Sequence, residues 1–128
     1  VVHMEPEGLV IELVETGERP LFESGSAEPS PRLRDLLAIL VPLIGLTTNP
    51  VAIVGHTDAR PFGSGLYGNW ELSSDRANAA RRAMSALGLP GERIARVSGR
   101  AATVPLTDDP GDPENRRIAI TLLRETAR

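Results

Sequence analysis

The hydrophobic positions of this chain follow two different periods, and the changes of period divide it into six predicted elements. Short apolar runs predict four strands, at residues 9–14, 51–54, 93–98 and 118–123. Helical spacing of apolar residues predicts two helices, one beginning at Ser30-Pro31 and one running from about Ser73 to Leu87. The predicted order is therefore β-α-β-α-β-β.

Both predicted helices carry an apolar face that must pack against a sheet. Ser30 is a favourable N-cap with Pro31 at the first helical position, and Gly45 ends this helix. Its apolar positions recur three and four residues apart: Leu33, Leu36, Leu37, Leu40, Val41 and Ile44. A helix joins the second and third strands, so the right-handed crossover rule makes these strands parallel. We predict an α+β two-layer sandwich, a mixed four-stranded sheet with the helices on one face.

The start of the second helix places an arginine in an unusual position. Ser73 is a good N-cap, and Asp75 and Arg76 then fall in the first turn, where the helix dipole favours only the acid. Arg76 shares its face with apolar residues at helical spacing, Leu72, Ala79, Ala80, Ala83 and Leu87. It should therefore lie at the edge of the buried face, where it needs an acidic partner or an anionic ligand.

Asp58 follows the strand at residues 51–54 and is the natural candidate for that partner. A strand end, a polar loop and a helix start together form a common place for a ligand site in α/β layers. Free backbone N–H groups and the Arg76 guanidinium would bind a carboxylate, and Asp58 could bind an ammonium beside it. The pattern predicts a ligand with both charges, such as an amino acid head group.

Three ordered motifs, spread over nearly the whole chain, carry a family resemblance. They are Gly55-His56-Thr57-Asp58, Asn69-x-x-Leu72-Ser73-x-x-Arg76-Ala77 and Asn115-Arg116-Arg117-Ile118. Together they resemble the signature of the OmpA-like peptidoglycan-binding domain, from about residue 8 to residue 123. The resemblance implies a single domain over residues 1–128 with its core at about 8–123, and the same α+β architecture. The segment Asn69-Trp70-Glu71-Leu72-Ser73 and the long loop 59–68 are most similar to the flagellar stator branch, the MotB group.

The resemblance also implies roles for individual residues. In this family the matching Asp and Arg hold the diaminopimelate, or its equivalent, of the peptidoglycan stem peptide. Asp58 would then bind the ammonium and Arg76 the carboxylate. Asn69 would hydrogen-bond the ligand or fix the loop, and Leu72 would give the ligand an apolar wall. Thr57 would either orient Asp58 or make only strand-end hydrogen bonds.

Two arginines precede the last strand, and the alternation of side chains along a strand can send only one of them into the site. The residues leave open whether Arg116 or Arg117 faces the ligand. The other is expected to be a solvated or salt-bridged surface residue. Of the four aromatic residues, Phe22 is expected in the core. The other three, Phe62, Tyr67 and Trp70, are ambiguous: they either contact a ligand or partner or simply cover the loop and helix start.

The composition of the chain argues against several classes of function. With 128 residues, 41% of them hydrophobic and 24% charged, the chain is an ordinary globular domain, and its net charge of −3 gives no reason to expect nucleic acid. The absence of cysteine excludes disulfides, thiol catalysis and cysteine-based zinc sites. His56-x-Asp58 could ligate a cation, but His3 is the only other histidine, and a catalytic zinc usually needs three protein ligands. We predict no metal, no cofactor and no enzymatic activity.

The resemblance implies a wall anchor for a larger membrane protein. Stator subunits of this branch lie in the periplasm, tethered to the inner membrane by an N-terminal helix, and work as homodimers with a MotA-like membrane subunit. The chain starts Val1-Val2-His3-Met4, so we expect an excised fragment that lacks such a helix. The alternatives are an OmpA-family anchor of an outer-membrane protein, lipoprotein or secretion system and, more remotely, a metal-assisted peptidoglycan amidase.

Overall fold

The computed structural model describes residues 1–16, 18–23, 25–60 and 67–125. Its elements are β1 (Val2–Glu5), β2 (Gly8–Val14), α1 (Pro31–Ile44), β3 (Val51–His56), α2 (Asn69–Ala86), β4 (Ile94–Gly99) and β5 (Arg117–Leu123). Single 3-10 turns, Gly91–Arg93 and Pro113–Asn115, precede β4 and β5. The strands form one sheet in the order β1-β2-β5-β3-β4, in which only β3 and β4 are parallel. The predicted α+β class, the mixed sheet and the parallel pair are confirmed.

The sheet has five strands where the sequence predicted four. The additional strand, β1, pairs with β2 in an antiparallel hairpin whose register joins Val2 to Ile11 and Glu5 to Gly8. Its side chains are exposed except for the half-buried His3, so the strand buries no apolar face, although Val2 and Met4 alternate with His3 and Glu5 in the sequence. Backbone pairing with its neighbour, and not burial of its side chains, accounts for this strand.

The hydrophobic core lies between one face of the sheet and both helices. Strand alternation places Leu13 of β2, Ile53 of β3 and Ile120 of β5 on that face. Helix α1 contributes Leu33, Leu37, Val41 and Ile44, all buried, and α2 contributes Ala77, Ala79, Ala80 and Met84. The predicted N-cap of α1 is confirmed, because the Ser30 hydroxyl accepts a hydrogen bond from the Leu33 N–H at 3.2 Å. The position of the helices on one sheet face follows from these two apolar faces.

Two glycines let the first half of α2 approach the ends of the parallel strands. A Cβ atom on Gly55 of β3 would lie 2.2 Å from the carbonyl oxygen of Ser73, and one on Gly99 of β4 would lie 2.4 Å from the Ser74 nitrogen. The Ser73 hydroxyl also accepts a hydrogen bond from the Ala101 N–H at 3.0 Å. Helix α2 is thereby fixed directly against the sheet edge from which Asp58 emerges.

Helix α2 begins one turn before the predicted start, so the assignment of Ser73 as N-cap is wrong. Gly68 occupies the cap position, and its N–H donates to the Glu71 carboxylate at 2.7 Å. The Ser73 side chain is fully buried, and its hydroxyl bonds the Ala101 N–H in the loop after β4 and the Trp70 carbonyl. Asp75 and Arg76 therefore lie in the second turn, where neither contacts the free N–H groups of the helix start. The predicted receptor of helix-start N–H groups around Arg76 is thus not formed.

Part of the long loop predicted at 59–68 lies outside the described residues. This applies to residues 61–66, including Phe62, and elsewhere to Gly17, Ser24 and residues 126–128. Within the described part of the chain, neither α1 nor α2 combines the length and apolar character that a membrane span requires.

Candidate functional site

A recess of about 280 Å³ opens at the sheet edge where β2, β3 and β5 meet α2. Three arginines and one glutamate supply its charges, and Phe22 supplies its main apolar surface. The lining residues are Glu15, Pro20, Phe22, Gly25, Arg60, Arg76 and Arg116. Asp58 lies directly behind this lining, since its carboxylate is bonded to Arg60 and Arg116.

Asp58 is buried, and its carboxylate is held by hydrogen bonds on both oxygens. Oδ1 accepts from the Arg60 backbone N–H at 2.9 Å, which closes a tight turn after β3. Oδ2 accepts from Arg60 Nη2 at 3.0 Å and Nε at 3.2 Å, and from Arg116 Nη1 at 2.7 Å. Burial by itself raises the pKa of Asp58, but the hydrogen bonds from Arg60 and the charges of Arg60 and Arg116 hold that pKa below its ordinary value. The carboxylate is therefore ionised at neutral pH.

Arg76 is buried at the edge of the α2 core face, as the sequence predicted. Its Nε donates to the Ser26 carbonyl at 2.8 Å, and its guanidinium carbon lies 4.9 Å from the centroid of the Phe22 ring. Among the described residues, no carboxylate comes within ion-pairing distance of Arg76, so the predicted direct partnership with Asp58 is wrong. Burial lowers the pKa of Arg76, but a guanidinium remains charged in proteins. Within the described part of the chain, the guanidinium is held by a backbone carbonyl and an aromatic ring and not by an acid.

Arg116 and Arg117 point to opposite faces of the sheet. Arg116 reaches into the recess, where it bonds Asp58 and forms a short contact with Glu15. Arg117 lies on the face without helices, where it donates to Glu12 at 2.7 Å and to the Val104 carbonyl at 2.8 Å. Arg116 is thus the one beside Asp58. The other arginine, Arg117, is salt-bridged as one of its two predicted alternatives has it, but it is buried by Glu12 and the loop after β4 and does not lie at the surface.

Glu12 and Glu15 are charged partners that the sequence prediction missed, as is Arg60. Glu12 interrupts the apolar run of β2, and such an acid inside a strand signals the need for a buried partner. Glu15 immediately follows β2, and its burial is reinforced by a bond from the Leu21 N–H at 3.3 Å. Their odd spacing of three residues places them on opposite sheet faces, which matches the opposite directions of Arg117 and Arg116.

Asn69 and Asn115 fix the loops that carry the site. Asn69 Nδ2 donates to the Arg60 carbonyl at 3.0 Å and, more weakly, to the Asp58 carbonyl at 3.4 Å. Asn115 is buried; its Oδ1 accepts from the Leu106 and Thr107 N–H groups, and its Nδ2 donates to the Asp109 carbonyl at 2.8 Å. Asn69 therefore fixes the loop, the second of its two predicted roles.

Leu72, Thr57 and Trp70 do not line the recess. Leu72 is buried within α2, and the apolar surface of the recess comes from Phe22 instead. The Thr57 N–H donates to the Ala101 carbonyl at 2.9 Å, while its buried hydroxyl has no partner among the described residues and does not orient Asp58. Trp70 is 55% exposed on the first turn of α2 and is not among the lining residues.

His56 is buried, and its environment favours the neutral imidazole. Burial, and then the charge of Arg117, lower the pKa of His56 to about 4. Its Nδ1 atom makes no hydrogen bond within the described part of the chain. No group of three or more described His, Asp or Glu side chains is arranged to hold a metal ion.

The fold and the recess define a class of protein: a two-layer α+β domain that presents a buried carboxylate and a buried guanidinium at one sheet edge. The chain belongs to the OmpA family, whose sequence model matches residues 21–119. The family resemblance carried by the three motifs is thereby confirmed.

Individual relatives agree with this assignment. The chain is 42% identical over 129 residues to Motility protein B of Escherichia coli strain K12, a match that covers 98% of this chain and 42% of that protein. It therefore spans less than half the length of this relative. The periplasmic domain of Helicobacter pylori MotB shares the fold with a TM-score of 0.82 at 17% identity, over 98% of this chain and 82% of the other. The cell wall anchor of the T6SS from Pseudomonas aeruginosa gives a TM-score of 0.79 at 28% identity, over 98% and 87%.

Proposed function

We propose that this domain binds peptidoglycan without chemical conversion and anchors a flagellar motor stator subunit to the cell wall. The observation that carries the binding proposal is the recess itself. It brings an ionised carboxylate, Asp58, to the same edge as Arg76, a buried guanidinium without an acidic partner among the described residues. The 42% identity to Motility protein B over 98% of this chain supports the stator assignment.

The proposed ligand is a diaminopimelate-type residue of the stem peptide, which carries an ammonium and a carboxylate on one carbon. Asp58 accepts from the ammonium, and Arg76 donates to the carboxylate. Phe22 and the Ser26 carbonyl hold the guanidinium plane so that its remaining N–H groups are available to the ligand. Arg116 keeps the Asp58 carboxylate in place from inside.

In this proposal the other predicted residues support the structure of the site and do not bind the ligand. Asn69 positions the loop that carries Asp58, and Leu72 and Thr57 belong to the packed layer behind it. Arg117 supports β5 from the opposite face through its pair with Glu12. None of these four needs to touch the ligand.

The same resemblance supports the wider setting. We propose a single domain over residues 1–128 with its core at about 8–123, located in the periplasm as a homodimer and joined to a MotA-like subunit through a membrane helix upstream of this segment. The likeness to the T6SS cell wall anchor favours a second candidate, an OmpA-family anchor of another envelope protein with the same ligand. The upstream sequence separates the two: a single membrane helix with an embedded aspartate indicates a stator, and a lipobox indicates the alternative.

Co-sedimentation with purified peptidoglycan sacculi tests the proposal. We expect the wild-type domain to pellet with sacculi, and Asp58→Asn and Arg76→Gln to lose about tenfold or more in affinity, the effect of removing one charge-assisted hydrogen bond. Asp35→Asn and Arg34→Gln are the matched controls, because both residues are exposed on α1 and the changes in charge are the same. Both controls should pellet like wild type.

Three outcomes would overturn parts of the proposal. A folded wild-type domain that stays in the supernatant contradicts the anchor function. Site variants that pellet like wild type show that the ligand binds elsewhere. Release of soluble muropeptides from the sacculi, abolished by a chelator, would establish the amidase alternative.

A further inference from the structure

We propose that Arg60 is a built-in competitor of the ligand, whose guanidinium occupies the position on Asp58 that the ligand's ammonium takes. Binding is then an exchange of one cation for another at a single carboxylate. This inference rests on the proposed function and identifies a residue that sets the affinity and the charge selectivity of the same site.

The first observation is that two guanidinium groups cover the Asp58 carboxylate, whose side chain is only 8% exposed. Its Oδ1 is bonded to the Arg60 N–H, and its Oδ2 receives three N–H donors, two from the Arg60 side chain and one from Arg116. A carboxylate oxygen offers about two lone-pair directions, so Oδ2 is already saturated. An incoming ammonium can therefore bond Oδ2 from the recess only if one of the two guanidinium groups leaves.

The second observation identifies the group that leaves. The Arg116 side chain is 23% exposed and is also held by Glu15, so its departure would break two ion pairs inside the recess. The Arg60 side chain is 61% exposed, and its only ion-pair partner among the described residues is Asp58. Arg60 can turn into solvent without uncovering the core. Its backbone N–H, which holds Oδ1, stays in place when the side chain moves.

The third observation is the balance of charge in the recess. Asp58 and Glu15 face three arginines, Arg60, Arg76 and Arg116, which leaves one positive charge in excess. When Arg60 leaves, the charges of the remaining side chains sum to zero. A zwitterionic group, which also has no net charge, can then enter without leaving an unbalanced charge in the recess. When Arg60 stays, the site suits a carboxylate that has no ammonium beside it. Arg60 therefore weakens binding of a free amino acid head group and reduces its advantage over the same ligand with a blocked amine.

Calorimetric titration with two soluble stem tripeptides tests this exchange. One tripeptide ends in diaminopimelate with its side-chain amine free, and in the other this amine is acetylated. The variant is Arg60→Gln, which removes the guanidinium but keeps the backbone N–H that bonds Asp58. The matched control is Arg96→Gln, which removes the same charge from the edge strand β4. The Arg96 side chain is 50% exposed and forms an ion pair with Glu7 at 2.7 Å.

We expect Arg60→Gln to bind the free-amine tripeptide about two- to fivefold more tightly than wild type, the factor expected when one exposed ion pair no longer competes. Arg96→Gln should bind it like wild type. The acetylated tripeptide should bind Arg60→Gln no more tightly than wild type, because it brings no cation to replace Arg60.

The outcomes separate this inference from the proposed function. If wild type binds the free-amine tripeptide and Arg60→Gln binds it equally or more weakly, Arg60 is a bystander or a direct ligand contact, and the exchange is refuted while the anchor function stands. Tighter binding of both tripeptides would mean that Arg60 obstructs the recess by its bulk, which also refutes the exchange. If every folded variant fails to bind both tripeptides and sacculi, the proposed function falls and the exchange with it.

Discussion

The buried pair between Arg117 and Glu12 allows a quantitative test of how this sheet is stabilised. Its N···O distance is 2.7 Å, and the two side chains are only 4% and 8% exposed. Arg96 and Glu7 form a pair at the same distance of 2.7 Å, but with side chains 50% and 56% exposed. The two ion pairs have the same N···O distance but differ in burial. Comparing them therefore tests how desolvation changes what an ion pair contributes to stability.

Arg117→Met should lower the free energy of unfolding by about 3–5 kcal/mol, because it leaves the Glu12 carboxylate buried and unpaired. Arg96→Met should lower it by less than about 1 kcal/mol, the usual contribution of an exposed pair. The double variant Glu12→Gln, Arg117→Met should be more stable than Arg117→Met alone, since it no longer buries a lone charge. It should remain below wild type, because the Val104 carbonyl loses its donor at 2.8 Å.

Urea denaturation at pH 8, where ordinary histidines are neutral, measures all four proteins under one condition. Equal losses for Arg117→Met and Arg96→Met would refute the argument from burial. A double variant less stable than Arg117→Met would show that the penalty is lost packing and not an unpaired charge. Binding to sacculi by folded Arg117→Met should persist, since the pair lies on the face opposite the core helices.

Three further predictions concern other parts of the fold. The pKa of His56 is lowered to about 4 in the folded state, so between about pH 6.5 and 4 only the unfolded chain binds the extra proton. The free energy of unfolding should therefore fall by up to about 1.4 kcal/mol per pH unit on acidification through this window. Urea midpoints of wild type and His56→Gln measured against pH check this, and the same pH dependence for both proteins would contradict it. Gly55→Ala should destabilise by about 1–3 kcal/mol, because the new methyl group would lie 2.2 Å from the Ser73 carbonyl oxygen; an unchanged melting temperature would count against the close approach. Asn115→Ala should speed amide hydrogen exchange at Leu106 and Thr107, whose N–H groups it leaves without their acceptor; unchanged protection there would show that other contacts hold this loop.

Local periodicity was sufficient to predict the elements around the site and the burial of Arg76. The helical spacing of Arg76 with Ala79 and Ala80 depends only on neighbours within two turns, and the position of Asp58 depends only on the strand before it. The start of α2 was misjudged because two local signals competed. Ser73 is the better cap by residue type, but its hydroxyl bonds the Ala101 N–H in the loop after β4, and the Glu71 carboxylate accepts from the Gly68 N–H instead.

The pairing of charges in the site could not be read from local sequence. Arg116 bonds Glu15 across 101 positions and Arg117 bonds Glu12 across 105, so each pair depends on the register of β2 with β5. Once that register is known, side-chain alternation assigns both pairs. The position of Arg60 on Asp58 was missed for a different reason: it arises from a turn of two residues whose geometry no apolar pattern encodes.

The last strand of the sequence lies in the middle of the sheet, and this has a consequence for how the chain acquires its structure. Strand β5 separates the hairpin β1-β2 from the pair β3-β4, and it joins Gly8 to Leu123. A ribosome therefore completes both helices and four strands before the strand that unites them has been synthesised. Such distant pairings make folding slow, because long loops must close before their contacts form. The N-terminal hairpin therefore gains its central neighbour only after residues 117–123 have been synthesised.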